Sequence, residues 1–179
     1  MRTTHASSAN ALADAAPRPF WTDRPDAPVA CEPLTAATSC DLLIVGGGLT
    51  GLWAAIEAKA ADPAADVVLL EGHEIAFGAS GRNGGFFSES LTHGVAHGLS
   101  LWPREMPTLL RLGRENISEI IDFLAAEGID ARLRMCGKTA VAVKPHQVAE
   151  LRASTALHVE FGESAVMLDA DEVRADVNS

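Results

Sequence analysis

The feature that most constrains this chain is a glycine-rich turn set between an apolar run and a helical pattern. Gly46, Gly48 and Gly51 follow the spacing G-x-G-x-x-G. Residues 41–45 before them, apolar from Leu42 onward, predict a strand. Residues 49–61 after them, rich in Ala and Leu, predict a helix that ends at an Asp-Pro pair. A second apolar run at 67–70 completes a strand–helix–strand unit with a parallel sheet and a right-handed crossover. Because both strands are apolar on both faces, we expect them to be fully buried.

Each glycine has a physical reason to stand where it does. Gly46 permits a tight turn out of the strand, Gly48 allows a pyrophosphate to approach the backbone, and Gly51 allows the helix to pack closely on the sheet. Leu49 and Thr50 begin the helix, where unpaired N–H groups and the positive end of the helix dipole attract anions. The alternative is a glycine-rich turn that binds nothing, but the surrounding pattern favours a dinucleotide site.

Glu71 ends the second predicted strand, 20 residues after Gly51. An acidic residue at this distance accepts hydrogen bonds from the hydroxyls of a ribose, and its charge repels a 2′-phosphate. The pattern therefore disfavours NADP. Glu74 is a second acidic residue nearby, which we interpret as a solvated carboxylate beyond the end of the strand.

Residues 78–85 form a second glycine-rich loop, and its four glycines allow close backbone approach and positive φ angles. Ser80 can donate to a phosphate and Arg82 can add positive charge, although a solvated cation is the alternative reading of Arg82. Residues 42–52 and 78–86 together resemble the D-amino-acid-oxidase-like (DAO) family of FAD-dependent oxidoreductases. The loop is similar to that of its amine-oxidising branch, which includes γ-glutamylputrescine oxidase-type enzymes, and the resemblance extends from Phe20-Trp21 to the last residues.

The resemblance implies an FAD whose ADP half lies on the first turn and whose pyrophosphate, ribityl chain and flavin pass beside the second loop. The candidate cofactor-binding residues are Gly46, Gly48, Leu49, Thr50, Gly51, Glu71, Ser80, Gly81, Arg82, Asn83, Gly84 and Gly85. The implied reaction is oxidation of the C–N bond of a small-molecule amine or amino acid, with the hydride taken by the flavin. No residue is identified as catalytic.

The enzymes of this family are much longer, so we expect this chain to be the N-terminal part of such an enzyme. Two alternatives stay open. The chain could be an inactive nucleotide-binding remnant, or, less compatibly with the loop at 78–85, part of an NAD-dependent dehydrogenase. The predicted fold class is α/β: an incomplete Rossmann-like βαβ unit that binds FAD, followed by the start of an α+β substrate-domain portion.

The composition of the chain excludes several classes of binding partner. A formal net charge of -10 makes nucleic acid an unlikely partner. Cys31, Cys40 and Cys136 have no spacing typical of a disulfide framework or a zinc site, and glycines flank His93 and His97, so we expect neither a metal site nor a stable helix there. No apolar run is long enough for a membrane span or a secretion signal, which predicts a cytoplasmic protein.

Three segments are predicted along the chain. Residues 1–39 hold five of the nine prolines and no glycine, which predicts an extended or disordered arm that the adjacent aromatics Phe20 and Trp21 anchor. Residues 40–100 contain the FAD-binding βαβ unit and the glycine-rich loop. Residues 101–179 are expected to form a portion of helix, hairpin and helix that leads into the substrate domain.

Within this last segment, an apolar stripe predicts a helix over 108–127, with Gly128 as its C-terminal glycine. Alternation on both sides of Gly137-Lys138 predicts a hairpin over 132–143. A helix over 147–156 and a strand over 165–168 follow, and the acidic residues 169–172 are typical of the first turn of a surface helix.

Overall fold

The structure is a computed structural model of the chain, and it describes residues 13–27 and 29–176. The chain divides into two compact units, Met1–Phe86 and Phe87–Ser179. The break thus lies inside the segment 40–100 that the sequence assigns to the cofactor. No helix in the two described ranges is both long and apolar enough to cross a membrane.

The first unit contains the predicted strand–helix–strand motif, whose first strand begins one residue later than predicted. Strand β1 spans Leu42–Val45, helix α1 spans Leu49–Ala61 and strand β2 spans Val67–Leu70. The two strands pair in parallel, with Leu42 opposite Val67 and Val45 opposite Leu70. The coarse prediction of a parallel βαβ unit is therefore confirmed.

The return from α1 to β2 is fixed by local polar contacts. Asp62 ends the helix, and its carboxylate accepts a hydrogen bond from the Ala64 amide at 3.0 Å. Lys59, in the last turn, donates to the carbonyl oxygens of Pro63 at 2.6 Å and Ala65 at 2.9 Å. A cation at a helix C-terminus that binds the following carbonyls is favourable both as a cap and against the helix dipole.

The prediction that both strands are fully buried is wrong for this chain. In β1 the side chains of Leu43 and Val45 are 51% and 80% exposed, and β2 is half-buried throughout. The reason is that the sheet has only these two strands in the described part of the chain, and α1 is the helix that packs on both of them. A strand that is apolar on both faces needs cover on both, and α1 supplies one.

The second unit is helical where it is regular. Its helices are α2 (Val95–Leu101), α3 (Met106–Ala126), α4 (Pro145–Glu160) and α5 (Ala170–Asp176). Helix α3 confirms the prediction over 108–127 and begins two residues earlier, with Pro107 in its first turn, where a missing N–H costs nothing. Helix α4 is longer than predicted at both ends, and α5 begins at the acidic residues as predicted.

Helix α2 corrects the expectation that glycine prevents a helix near His93 and His97. Gly98 lies inside α2 because the thioether of Met106 and the hydroxyl of Thr92 crowd the position that a Cβ would take. Met106 is fully buried and Thr92 nearly so. Here close packing outweighs the entropic cost of a helical glycine.

Gly128 ends α3 as predicted, with a φ of 65°. The amide of Ile129 donates to the Leu124 carbonyl at 2.9 Å, and that of Gly128 donates to Ala125 at 3.3 Å. These two bonds form a Schellman cap, which satisfies carbonyls that would otherwise lack partners.

The hairpin predicted over 132–143 and the strand predicted over 165–168 do not form. Neither segment has ladder hydrogen bonds, and apolar side chains of the first, such as Met135 and Val143, are 73% and 77% exposed. Alternating apolar residues stabilise a strand only when a partner strand and a surface to cover are both present. The described part of the second unit offers these segments neither.

Candidate functional site

The glycine-rich turn connects β1 to α1 through a close backbone approach. The amide of Gly46 donates to the Leu70 carbonyl at 2.7 Å, and its φ of 107° then redirects the chain. A Cβ at Gly51 would overlap the carbonyl oxygen of Gly46 and lie 3.4 Å from the Cγ2 atom of Ile44. The first and third glycines are therefore required by this path of the backbone.

Gly48 caps α1 in an extended conformation and faces an open cleft of about 340 Å³. A Cβ at Gly48 would lie 3.0 Å from the Ser80 hydroxyl oxygen, so a branched side chain there would fill part of the cleft. The cleft is lined by Ile44, Val45, Gly46, Gly48, Leu49, Thr50, Gly51, Ala54 and Ser80. Five of these are candidate residues of the turn, and they meet Ser80 of the second loop.

Glu71 is held against the turn by its own carboxylate. One oxygen accepts a hydrogen bond from the Gly47 amide at 2.7 Å, and the other accepts from the His73 amide at 3.0 Å. These amides, the Gly47 amide foremost, hold the pKa of the Glu71 carboxyl below its ordinary value of 4.5. The carboxylate is exposed and keeps further lone pairs for a ligand hydroxyl. Glu74 is exposed in the loop that follows.

Gly47 is a member of the site that sequence reasoning missed. Besides donating to Glu71, it lies close to Ile75, whose Cδ1 atom would be 2.5 Å from a Cβ and would have to move aside. The signal was present in the sequence, since three consecutive glycines exceed what G-x-G-x-x-G requires.

The second loop reaches the first through Ser80. Its hydroxyl oxygen accepts a hydrogen bond from the Leu49 amide at 2.9 Å, although the two residues are 31 positions apart. Leu49 is the first residue of α1, so Ser80 occupies one of the unpaired donors at the helix N-terminus. The structure thus brings Ser80 together with the glycines of the turn.

The rest of the second loop is held mainly by its own side chains. The Asn83 amide donates to the Ser80 carbonyl at 2.6 Å and its oxygen accepts from the Gly85 amide at 2.8 Å. Gly81 is buried against the carbonyl oxygen of Ala76, where a Cβ would overlap. Gly84 lies beside the ring of Phe86.

Arg82 is engaged away from the cleft. Its Nε donates to the Phe77 carbonyl at 2.7 Å, its guanidinium lies 4.7 Å from the centroid of the Phe77 ring, and one terminal nitrogen donates to the Pro17 carbonyl at 2.9 Å. The cleft is lined by Ser80 but not by Arg82. The charged group of Arg82 thus joins the loop to the N-terminal arm.

The pair His93 and His97 is held by local contacts. The His97 Nδ1 atom lies 2.7 Å from the Thr92 carbonyl oxygen, and the ring centroids of His93 and His97 are 6.3 Å apart. Within residues 13–27 and 29–176, no three His, Cys, Asp or Glu residues are grouped to hold a metal ion. The three cysteines are unpaired.

The arrangement suits the ADP half of a dinucleotide. The first turn of α1, which includes Thr50, lines the cleft, so the positive end of the helix dipole points toward it. Glu71 places a carboxylate at the end of the adjacent strand. Gly48 leaves the backbone accessible between them. An anion and a pair of hydroxyls thus find complementary groups on either side of one turn.

Comparison with known proteins agrees with this geometry. The family "FAD dependent oxidoreductase" (DAO) matches residues 41–178. The chain is 33% identical to the gamma-glutamylputrescine oxidoreductase of Escherichia coli over 154 residues, which cover 83% of this chain and 34% of that protein. It is 35% identical over 78 residues to a probable oxidoreductase, OrdL, of Haemophilus influenzae, covering 44% of this chain and 18% of that one. The chain thus spans about a third of the length of the first relative. No solved structure gives a significant match.

Proposed function

This chain belongs to the DAO family of FAD-dependent oxidoreductases, and from that premise we propose that residues 46–51 and Glu71 hold the ADP half of FAD. In this proposal the pyrophosphate meets the amides at the start of α1, and the ribose hydroxyls donate to Glu71. Residues 80–85 would lie beside the pyrophosphate, with the ribityl chain and flavin beyond. Gly81 and Gly85 would shape that loop, since their amides already donate to the Gly78 carbonyl and to the Asn83 side chain.

We propose further that the enzyme oxidises the C–N bond of an amine or amino acid. Bound FAD would supply a two-electron acceptor for a hydride from the carbon next to nitrogen. The substrate nitrogen loses its proton to solvent, and water hydrolyses the resulting imine to a carbonyl compound and a free amine. In this proposal residues 46–51, Glu71 and residues 80–85 bind and orient the cofactor.

The observation that carries this proposal is the coupling of the two glycine-rich segments. Ser80 binds the first amide of α1, which holds the second loop against the glycine-rich turn. That loop is the part of the sequence that resembles the amine-oxidising branch, and a gamma-glutamylputrescine oxidoreductase is similar over most of this chain. Fold alone does not fix chemistry, so the substrate class rests on this resemblance.

The same proposal assigns a role to each segment of the chain. We assign residues 40–100 to FAD binding and residues 101–179 to the beginning of a substrate-binding portion, with 1–39 as an arm that precedes both. The matched residues make up 83% of this chain and 34% of the relative that is similar over most of it, so that relative is about two and a half times as long.

The test is flavin reduction without oxygen. The protein, expressed from its complete reading frame, is mixed anaerobically with primary amines, secondary amines, N-methyl amino acids and D-amino acids, while flavin absorbance is followed. We expect at least one of these classes to bleach the flavin. If only alcohols or 2-hydroxy acids reduce it, the amine assignment is wrong and FAD binding alone survives.

A further inference from the structure

The N-terminal arm contacts the second glycine-rich loop at three places, and residues 17–22 are here called the clamp. The indole Nε1 of Trp21 donates to the Asn83 carbonyl at 2.9 Å. The carbonyl of Pro17 accepts from the guanidinium of Arg82 at 2.9 Å. Pro19 is buried, and a Cβ at Gly81 would lie 2.8 Å from its Cβ.

The clamp is itself an ordered turn. The amides of Thr22 and Asp23 both donate to the Pro19 carbonyl, at 3.2 and 3.0 Å, and the Thr22 hydroxyl bonds the same oxygen at 3.3 Å. Such a turn fixes the direction of the intervening side chains. In this turn Trp21 faces the loop, while Phe20, which is 78% exposed, faces solvent.

Trp21 also determines which residue can stand at position 85. The ring carbon Cζ2 lies 2.6 Å from the place of a Cβ on Gly85, whose φ is 76°. The indole therefore covers the backbone of Gly85 directly, on the part of the loop that leads away from Ser80. The sequence predicted that both aromatics anchor the arm, and the structure assigns this contact to Trp21 and to Pro19.

These contacts form a chain that ends at the cofactor turn. Trp21 bonds the carbonyl of Asn83, the Asn83 side chain bonds the Ser80 carbonyl, and the Ser80 hydroxyl bonds the first amide of α1. Each link is a hydrogen bond of 2.9 Å or shorter. The clamp thus reaches the helix N-terminus through the loop, and none of the residues 17–22 lines the cleft.

We propose that Trp21 is a positioning residue for FAD: the clamp holds the loop 80–85 at the distance from α1 at which the loop closes on the pyrophosphate. The inference rests on the proposed cofactor site. Without the indole, Asn83 and Gly85 lose an external support, and the loop must be ordered by the ligand at the moment of binding. Binding that must also order a loop is weaker by the cost of that ordering.

The test compares three variants of the protein, expressed from its complete reading frame, by FAD titration of the apoprotein. We expect Trp21→Ala to raise the FAD dissociation constant about tenfold. Trp21→Phe keeps a ring against Gly85 but loses the bond to the Asn83 carbonyl, so it should recover part of the affinity. Phe20→Ala removes a neighbouring ring that meets Trp21 edge-on and should leave the constant within about twofold of the wild type.

Two further measurements separate the explanations. The unfolding midpoint of the apoprotein should stay the same in Trp21→Ala, because the clamp acts on the loop rather than on the sheet. If the midpoint falls in step with the FAD affinity, and Trp21→Phe recovers neither, Trp21 has a merely structural role and the inference is overturned. Gly48→Val tests the cofactor site itself. If Gly48→Val weakens FAD binding and Trp21→Ala does not, the clamp inference fails while the site stands. If Gly48→Val binds FAD normally, the proposed site fails first.

Discussion

The two compact units of this chain are stabilised by polar contacts of different range. In the first, hydrogen bonds join Gly47 to Glu71, Leu49 to Ser80 and Trp21 to Asn83, over 24, 31 and 62 positions of sequence. In the second, most side-chain hydrogen bonds close within five positions, as in the cap between Asp169 and Glu172, and the bond from Arg114 to the Phe161 carbonyl is the long one among them.

The difference indicates how far from its own site a single substitution should change the structure. A cap that closes within its own helix affects that helix, with an energy of about 1 kcal/mol. A contact between distant segments fixes the position of one segment on another, so its loss changes a surface that neither segment makes alone. The glycine-rich turn at 46–51, where we propose that FAD binds, is such a surface, and paired substitutions in the two units test the contrast.

The largest effects are expected at two helical glycines with the same steric problem. A Cβ on Gly51 would overlap the Gly46 carbonyl oxygen in the first unit, and one on Gly113 would overlap the Glu89 carbonyl oxygen in the second. We expect Gly51→Ala and Gly113→Ala each to lower the free energy of unfolding by about 3 kcal/mol, since a backbone atom cannot move aside cheaply. Denaturant unfolding followed by circular dichroism measures both losses.

Only Gly51→Ala should also abolish FAD binding, because its overlap distorts the cofactor turn. FAD titration of folded protein at low temperature measures this. Equal loss of FAD in Gly113→Ala would contradict the contrast, since the second unit would then support the turn as much as the first does.

A smaller effect on folding and a large one on the ligand are expected for Gly48→Val. The backbone at Gly48, with φ of -83°, accepts any residue, and the nearest obstacle is the movable hydroxyl of Ser80. The branched side chain would instead occupy the path of the pyrophosphate. We expect FAD affinity to fall about 100-fold while the free energy of unfolding changes by less than about 1 kcal/mol. Gly72→Ala, which points into open space, is the control and should bind FAD normally.

The smallest effect is expected for Glu71→Gln, which keeps the shape and removes the charge. Charge-assisted hydrogen bonds of about 1.5–3 kcal/mol would be weakened, which corresponds to one to two decades of FAD affinity at most. Isothermal titration of the variant and of Glu74→Gln, a charge removed from the adjacent loop, compares the two carboxylates. Equal affinities in the two variants would remove Glu71 from the site.

Glu71→Gln should also change how the stability of the protein depends on pH, in a definite direction. Because folding lowers the pKa of Glu71 below 4.5, its carboxylate stabilises the folded turn above that value, and this stabilisation is lost as the pH falls through the lowered pKa. Unfolding of the wild type should show this acid dependence, and Glu71→Gln should lack that part of it. An identical acid profile in both proteins would show that the amide bonds of Gly47 and His73 do not depend on the charge.

How far the sequence predicts this structure depends on the range of the interaction. The boundaries of α1 followed from Gly48 before it and Asp62-Pro63 after it, and the end of α3 followed from Gly128, because each signal lies within a few residues of the boundary that it sets. The parallel pairing of β1 and β2 followed from the short crossover through α1. Local chemistry determined all of these.

What the sequence could not supply depends on partners that are distant in the chain. The hairpin over 132–143 was predicted from alternation alone, and alternation does not say whether a ladder partner is present. Arg82 was assigned to the cofactor from its charge, whereas its contacts are with Pro17 and Phe77, which no spacing rule connects to it. The sequence also could not show which of the two adjacent aromatics faces the loop, because the turn at Pro19 determines that it is Trp21.

The bond between Trp21 and Asn83 also has a consequence for the order of synthesis. The arm leaves the ribosome first, but its partner is made 62 residues later. At roughly 5–20 residues per second this is a wait of about 3–12 s, far longer than a strand–helix–strand unit needs to collapse. During this interval an aromatic pair and a proline-rich segment stay without their loop. The nascent chain must therefore keep Trp21 from other apolar surfaces, including the uncovered faces of β1, until the glycine-rich loop emerges to receive it.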